Sequence, residues 1–239
     1  MEIFLEIPND IYIEKFAAEN NLLIVNKPSY QSYFVYNELG LFFQHKFSKN
    51  RLHLDFLKGS IGWRLTRVDH ERHLKKALGR SSKELTVFDG TGGFLYDSLI
   101  LLSLGHKVVA VEQSKTIYCL VKDALNRAVE SIDCLEKLEF ICGDSYKIFK
   151  HRKEDFDAIY LDPMYPNSSK KFKNSEKMET LKKILIEEEM STNPDELFIK
   201  FRDENYKKII LKRPLKSEKI CSNINYQILG KTMRYDVYL

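Results

Sequence analysis

The chain has 239 residues, 44% hydrophobic and 30% charged, with a formal net charge of +4 and a pI near 8.7. This is an ordinary globular composition, long enough for one α/β domain with a small appendage. No apolar run reaches the roughly 18 residues that a membrane-spanning helix needs, and the acidic start "MEIFLEIPND" has neither the basic region nor the cleavage site of a secretory leader, so a cytoplasmic protein is expected. A monomer is expected as a separate matter, on which these features do not bear.

In chain order, the first stretch with a pattern is "NLLIVNKPSYQSYFVYNELGLFFQHKF", rich in Tyr, Phe, Val and Leu. Turn residues interrupt it at Asn26–Pro28 and Asn37–Gly40, and "RLHLDFLKG" then alternates as a half-buried strand does. These features predict a small β-rich α+β subdomain over residues 1–68. A helix from Asp69 to Leu78 opens the second unit, residues 69–239.

From Leu85 the pattern becomes regular. The strand "LTVF" runs into "DGTGG", and a helix comes next in "FLYDSLILLSLG". "KVVAVE" and "SKTIYCLVKDALNRAVE" give the next strand and helix. "LEFICGDS" and "FDAIYLD" are further strands, then "EKMETLKKILIEEE" and "TNPDELFIKFRDE" read as helices. "KKIILKRP" is a strand stopped by Pro214, and "YQILGKTMRYDVYL" a closing hairpin. Strands alternating with helices predict a mostly parallel sheet covered on both faces.

Cys119, Cys134, Cys142 and Cys221 form no C-x-x-C pair, so no zinc site or redox dithiol is expected. His70 and His73 share a helix face without an evident third ligand, and no metal is expected there.

The chemistry concentrates at the carboxyl ends of the strands, where ligands bind in such sheets. Asp89 ends the first strand before Gly90, Gly92 and Gly93. The dinucleotide fingerprint G-x-G-x-x-G fails, because its third glycine would fall on Leu95. An acid before the glycines repels pyrophosphate and suits a cofactor carrying a sulfonium and an ammonium. Glu112 ends the second strand, where a carboxylate can accept ribose hydroxyls, and Asp144 ends the third, within reach of an adenine amino group. Asp97, one turn into the first helix, either holds the cofactor ammonium or is a solvated helix residue.

The fourth strand ends in "DPMYP", Asp162 to Pro166. Methyltransferases acting on exocyclic amines carry [DN]-P-P-[YFW] at this place. Asp162 can accept one N–H of an aryl amine and the Pro163 carbonyl the other, while Tyr165 stacks on the base. A basic loop comes next, with Lys170, Lys171 and Lys173, and a second basic cluster includes Lys212 and Arg213. Both read as contacts to nucleic-acid phosphates.

Taken together, "LHLDFLKGSIGWR", "HLKKALG", "VFDGTGGFLYDSLILLSLGHKVVAVEQSKTIYCLVKDALNRA", "YLDPMYP", "LKRP" and "YDVYL" resemble the RsmJ-type small-subunit ribosomal RNA (guanine-N2)-methyltransferases. The resemblance runs from about Leu52 to the C-terminus. It implies a class I, Rossmann-like methyltransferase fold with a seven-stranded sheet ending in an antiparallel hairpin. It also implies S-adenosylmethionine as cofactor and the N2 amine of a guanine near the 3′ end of 16S RNA as acceptor, free or in the small ribosomal subunit. By motif position it places cofactor contacts on Tyr96, Asp97, Glu112, Gln113, Asp144, Ser145 and Asp162. The glycine loop adds Asp89, Gly90 and Gly92. The chain departs from the family at Leu95, where a glycine is usual, at Tyr96, where an arginine is usual, and at "RVDHER". The glycine loop is therefore expected to run differently. Competing readings keep the cofactor and change the acceptor to DNA adenine or a protein glutamine, or make the chain a non-catalytic RNA-binding relic. Met164 and the lack of a DNA-recognition domain disfavour the first two, and the intact Asp162 and glycine turn disfavour the relic.

Overall fold

The computed structural model describes residues 1–8, 11–79, 83–152, 156–165, 176–190 and 193–239. Its amino-terminal part is a five-stranded sheet in the order β2-β1-β3-β4-β5. The elements are β1 (Glu2–Leu5), α1 (Ile11–Glu19), β2 (Leu23–Val25), β3 (Ser32–Asn37), β4 (Gly40–His45) and β5 (Leu52–His53). β1 pairs in parallel with β2 and β3, while β3 and β4 form a tight hairpin. Asn37 builds its turn by accepting from the Leu39 amide at 3.0 Å, and Gly40 is next at φ +106°. The alternation in "RLHLDFLKG" is real in burial, since Leu52, Leu54 and Phe56 are all buried. Only two of those residues pair as a strand.

α2 (Gly59–Leu65) and α3 (Arg72–Leu78) come next, joined by a 3-10 turn at Val68–His70. The second sheet contains β6 (Thr86–Asp89), β7 (Lys107–Glu112), β8 (Leu138–Cys142), β9 (Ala158–Leu161), β10 (Ile209–Pro214), β11 (Tyr226–Leu229) and β12 (Met233–Tyr238). Its order is β11-β12-β10-β9-β6-β7-β8, with β12 antiparallel to both neighbours. The helices are α4 (Tyr96–Ser103), α5 (Lys115–Ala128), α6 (Ser145–Arg152), α7 (Glu176–Glu187) and α8 (Pro194–Arg202). Ser114 caps α5 by accepting from the Ile117 amide, and Asn193 with Pro194 starts α8. Among the described residues no helix is long and apolar enough to cross a membrane.

The expected division at residue 68 does not separate two cores. α2 already packs on α4, and Ile3, Phe34 and Phe43 of the first sheet share one apolar cluster with Leu120, Val121 and Ala124 of α5. Asp123 of α5 seals that junction from inside. It accepts from the Leu41 amide at 3.0 Å, Tyr12 Oη at 3.2 Å and Arg127 Nε at 2.9 Å.

Side chains alternate between the two faces of each strand with a period of two. Val87, Ala110, Tyr160 and Ile210 face the α4–α5 side, whereas Phe88, Val109, Ile159 and Leu211 face Phe149 of α6 and Phe201 of α8. Asp89, Glu112, Asp162 and Lys212 each stand two residues beyond one of the first group. Four ionisable side chains therefore share one face at the carboxyl rim. β6 and β9 lie next to each other there, at the point where the strand order reverses.

Candidate active site

The loop after β6 is pinned to both neighbouring strands. The Gly90 amide donates to the Tyr160 carbonyl at 3.1 Å and the Gly92 amide to the Val111 carbonyl at 2.8 Å. A Cβ on Gly92 would stand 3.0 Å from the Val111 carbonyl oxygen, and one on Gly90 would stand 2.9 Å from Leu161 Cδ2. Glycine is needed for that approach. Leu95 then enters α4 with φ 58° and ψ 16°, the left-handed conformation a glycine adopts freely. Its side chain is fully buried and its amide donates to the Gly92 carbonyl at 2.7 Å. Packing thus holds a leucine in the backbone state that strains it by roughly 1–2 kcal/mol. Leu95→Gly relieves the strain but empties a packed site, whose loss costs about 2–5 kcal/mol. The variant is expected to be less stable by about 2 kcal/mol in denaturant titration, and a gain in stability would contradict this balance.

Asp89 is turned inward. Oδ1 accepts from the Thr91 amide (3.0 Å) and hydroxyl (3.2 Å), and Oδ2 from Ser98 Oγ at 2.5 Å. Burial pushes its carboxyl up to about 6, against the hydrogen bonds from Ser98 and Thr91. This acid organises the loop from beneath.

Glu112 closes β7 and is 8% exposed. Its two oxygens accept from the Gly93 and Ser114 amides, both at 2.7 Å. Burial pushes this carboxyl up to about 7 despite those bonds. An acid raised from 4.5 to about 7 by folding stabilises the fold by about 3 kcal/mol below pH 4.5, and that contribution is lost as pH rises through 7. Glu112→Gln is expected to lose about 1 kcal/mol at low pH, where Glu112 is protonated, through one impaired amide contact, and that deficit should close as pH rises through 7. It should also flatten the fall in stability between pH 5 and 8, as tracked by urea titration of both proteins. An unchanged pH slope would exclude Glu112 as its source.

Gln113 is exposed beside Glu112. Asp144 lies just past β8 and accepts from the Lys147 amide at 3.0 Å, which caps α6, and Ser145 is buried beside it. Tyr96 is half-buried, its ring 5.9 Å from that of Phe94. All lie at the same rim.

The centre of the site is a charge network. Asp97 accepts from Arg64 Nη2 at 3.1 Å, from Tyr160 Oη at 2.6 Å and from Lys212 Nζ at 2.5 Å. Lys212 Nζ also reaches Asp162 Oδ2 at 2.8 Å. Arg64 Nε is held in turn by Glu71 at 2.7 Å. Burial alone would raise the Asp97 carboxyl, but Lys212, Tyr160 and Arg64 outweigh it and hold it at about 2. Burial likewise opposes the charge on Lys212, and Asp162 and Asp97 overcome it, raising that ammonium above its ordinary range. Partial burial pushes the Asp162 carboxyl up; Lys212 and Arg64 oppose this and Asp97 adds to it. The Asp162 side chain is 32% exposed, and its Oδ1 has no partner among the described residues. Its amide donates to Thr91 Oγ1 at 2.7 Å, which ties the motif to the glycine loop.

Two expectations require correction. The sequence places Lys212 and Arg213 against phosphates. Lys212 is instead enclosed between two carboxylates, and Arg213 is 5% exposed. The Arg213 guanidinium lies over the Tyr165 ring, 5.3 Å from its centroid, and pairs with Asp195 at 3.5 Å. It backs the aromatic side chain of the motif. Pro163 is buried and Tyr165 half-buried behind Asp162. Lys170, Lys171 and Lys173 lie outside the described residues. Sequence reasoning missed Arg64, Thr91, Ser98 and Tyr160. Only Tyr160 carried a signal, since it shares a strand face with Asp162 two residues on.

This strand order, with a glycine turn after its first central strand and D-P-x-Y after the adjacent one, defines an S-adenosylmethionine-dependent methyltransferase of the Rossmann-like class. The chain belongs to the family described as "Putative SAM-dependent methyltransferase", whose model matches residues 15–239. A protein of Francisella tularensis subsp. novicida named Ribosomal RNA small subunit methyltransferase J is 30% identical over 198 residues, 80% of this chain and 81% of the relative. One of the same name from Bdellovibrio bacteriovorus is 29% identical over 202 residues, 80% of this chain and 75% of the relative. The crystal structure of an S-adenosylmethionine-dependent methyltransferase from Neisseria gonorrhoeae superposes with a TM-score of 0.68 at 25% identity, covering 100% of this chain and 96% of that one.

The rim fits the cofactor. Each carboxylate oxygen of Glu112 has accepted one hydrogen bond and keeps capacity for a ribose hydroxyl. Asp97 and Asp162 bring carboxylate oxygens to the same rim, their charge shared with Arg64 and Lys212. Gly90 and Gly92 keep the backbone of the loop low against the strands. Among the described residues no group of three His, Cys, Asp or Glu side chains is placed to hold a metal.

Proposed function

We propose that this enzyme methylates the exocyclic N2 amine of a guanine in small-subunit ribosomal RNA. One observation carries the reading. Asp162 has Oδ2 fixed by Lys212, its Oδ1 has no partner among the described residues, and Pro163 and Tyr165 follow it at the rim. The names of the curated relatives support small-subunit ribosomal RNA as the acceptor molecule.

The amine lone pair of guanine is delocalised into the base and is a poor nucleophile. Asp162 Oδ1 accepts one amine N–H and the Pro163 carbonyl accepts the other, which drives the nitrogen toward tetrahedral geometry and frees its lone pair. When bound, the cofactor supplies an electrophilic methyl group on a sulfonium. Positioning by these two acceptors accounts for most of the acceleration. Tyr165, backed by Arg213, stacks on the base and contributes about 1–3 kcal/mol. Lys212 holds Asp162 in one orientation and favours its ionised form, the form that accepts. As the new N–C bond forms, the methyl group's bond to sulfur would break and a neutral thioether would leave; the nitrogen becomes acidic and Asp162 Oδ1 is placed to take its proton. Glu112, Gln113, Asp144, Ser145 and Tyr96 hold the cofactor, and Lys170, Lys171 and Lys173 meet flanking phosphates. On this reading the enzyme works as a monomer in the cytoplasm.

The test is transfer of tritium from labelled S-adenosylmethionine to small subunits from a strain lacking the gene, with nucleoside analysis of the product. Label in N2-methylguanosine is expected. Label absent from RNA, with the cofactor still bound, would overturn the acceptor and leave the enzyme class standing.

A further inference from the structure

Trp63 is the one tryptophan in the chain, and 58% of it is exposed. Exposure alone is ordinary for a single apolar side chain; its surroundings are what distinguish this one. It lies on α2 with the Arg67 guanidinium 4.8 Å from its ring centroid. Arg67 in turn reaches His70 Nε2 at 3.3 Å. One turn further, Arg72, His73 and Lys76 are exposed on one face of α3. Arg67, Arg72 and Lys76 have no ion-pair partner among the described residues, whereas both nearby acids are taken. Asp69 pairs with Lys75 at 2.9 Å, and Glu71 with Arg64 at 2.7 Å. The surface is therefore basic and aromatic at once, the combination that binds unpaired nucleic acid. It also has a defined place. Arg64, the residue after Trp63, reaches Asp97 at 3.1 Å in the centre of the active site.

We infer that Trp63, Arg67, Arg72 and Lys76 form an RNA platform beside the active site, on which Trp63 stacks an unpaired base flanking the target guanine. This rests on the reading of ribosomal RNA as acceptor. The three cations meet the phosphates on either side of that base. The platform does for the flanking strand what Tyr165 does for the target base, and it fixes which nucleotide enters.

Because Trp63 is the sole tryptophan, its fluorescence reports on this surface alone. Titration with unmodified small-subunit ribosomal RNA, transcribed in vitro, is expected to quench it saturably. Trp63→Ala should raise the KM for that RNA about tenfold, with kcat and S-adenosylmethionine affinity within twofold. Trp63→Phe should recover most of the loss. The combined change of Arg67, Arg72 and Lys76 to Gln should reduce the slope of log affinity against log salt by about 2–3. If the wild-type enzyme binds and methylates this RNA without quenching, and Trp63→Ala leaves KM unchanged, the platform is overturned and the acceptor reading stands. If the wild-type enzyme binds S-adenosylmethionine but neither binds nor methylates the RNA, the acceptor reading fails and the platform fails with it.

Discussion

Asp162→Ala is expected to lower kcat by about 10²–10³-fold, while S-adenosylmethionine binds within about tenfold of wild type and the fold keeps its stability. The magnitude is that of removing one preorganised polar group from a reaction centre. The fold is spared because Lys212 keeps its second partner, Asp97, at 2.5 Å. No buried cation is left alone. Asp162→Asn should be nearly as inactive as Asp162→Ala. Its amide preserves one acceptor oxygen but loses the charge that Lys212 fixes and that takes up the amine proton. A variant of either kind with more than a tenth of wild-type kcat would remove Asp162 from the chemistry. Single-turnover measurement with saturating RNA separates this from a binding defect, since the loss belongs to the transfer step.

The doubly wound sheet and the chemical motif were legible in the sequence because both are local patterns. Strand–helix alternation identifies the sheet, and D-P-M-Y stands on consecutive residues. The rest depends on partners far apart in the chain. "LKRP" reads as part of a basic surface cluster, and two residues of it are interior. What turns Lys212 inward is the parity it shares with Ile210, together with two acids contributed by α4 and β9. Arg64 meets Asp97 across 33 residues. Asp123 reads as an ordinary helix residue, yet it is 1% exposed and satisfies the Leu41 amide 82 residues away. Leu95 breaks the family's glycine pattern, but the loop keeps a left-handed residue there because the core encloses the leucine side chain. The short helix α6 leaves no legible pattern. Its eight residues "SYKIFKHR" present one fully buried apolar anchor, Phe149, too few to make a period.

Lys212→Met is expected to do what Asp162→Ala does not. It removes the cation shared by Asp97 and Asp162 and leaves two carboxylates facing each other. Asp97 retains Arg64 and Tyr160, so the consequence falls on Asp162, whose side chain has no other partner among the described residues. Its carboxyl is already pushed up by burial and by Asp97, with Lys212 the larger opposing influence and Arg64 the smaller. Without the lysine it rises further. A larger share of Asp162 is then protonated at a given pH, and the protonated form offers a hydroxyl where the amine needs an acceptor. The rate should fall about 10–100-fold at pH 7. It should recover as pH rises, giving a profile shifted to the alkaline side of wild type. Stability should move the opposite way. Breaking a buried pair costs about 3–5 kcal/mol, and here protonation of Asp162 relieves part of it at low pH. The deficit against wild type therefore grows as pH rises through the new carboxyl value. Lys212→Arg restores the charge and should return the pH profile toward wild type even where its longer fork lowers the rate. A purely structural lysine predicts otherwise, a stability loss with an unshifted profile. That result would leave Asp162 as the catalytic group and remove Lys212 from the control of its proton.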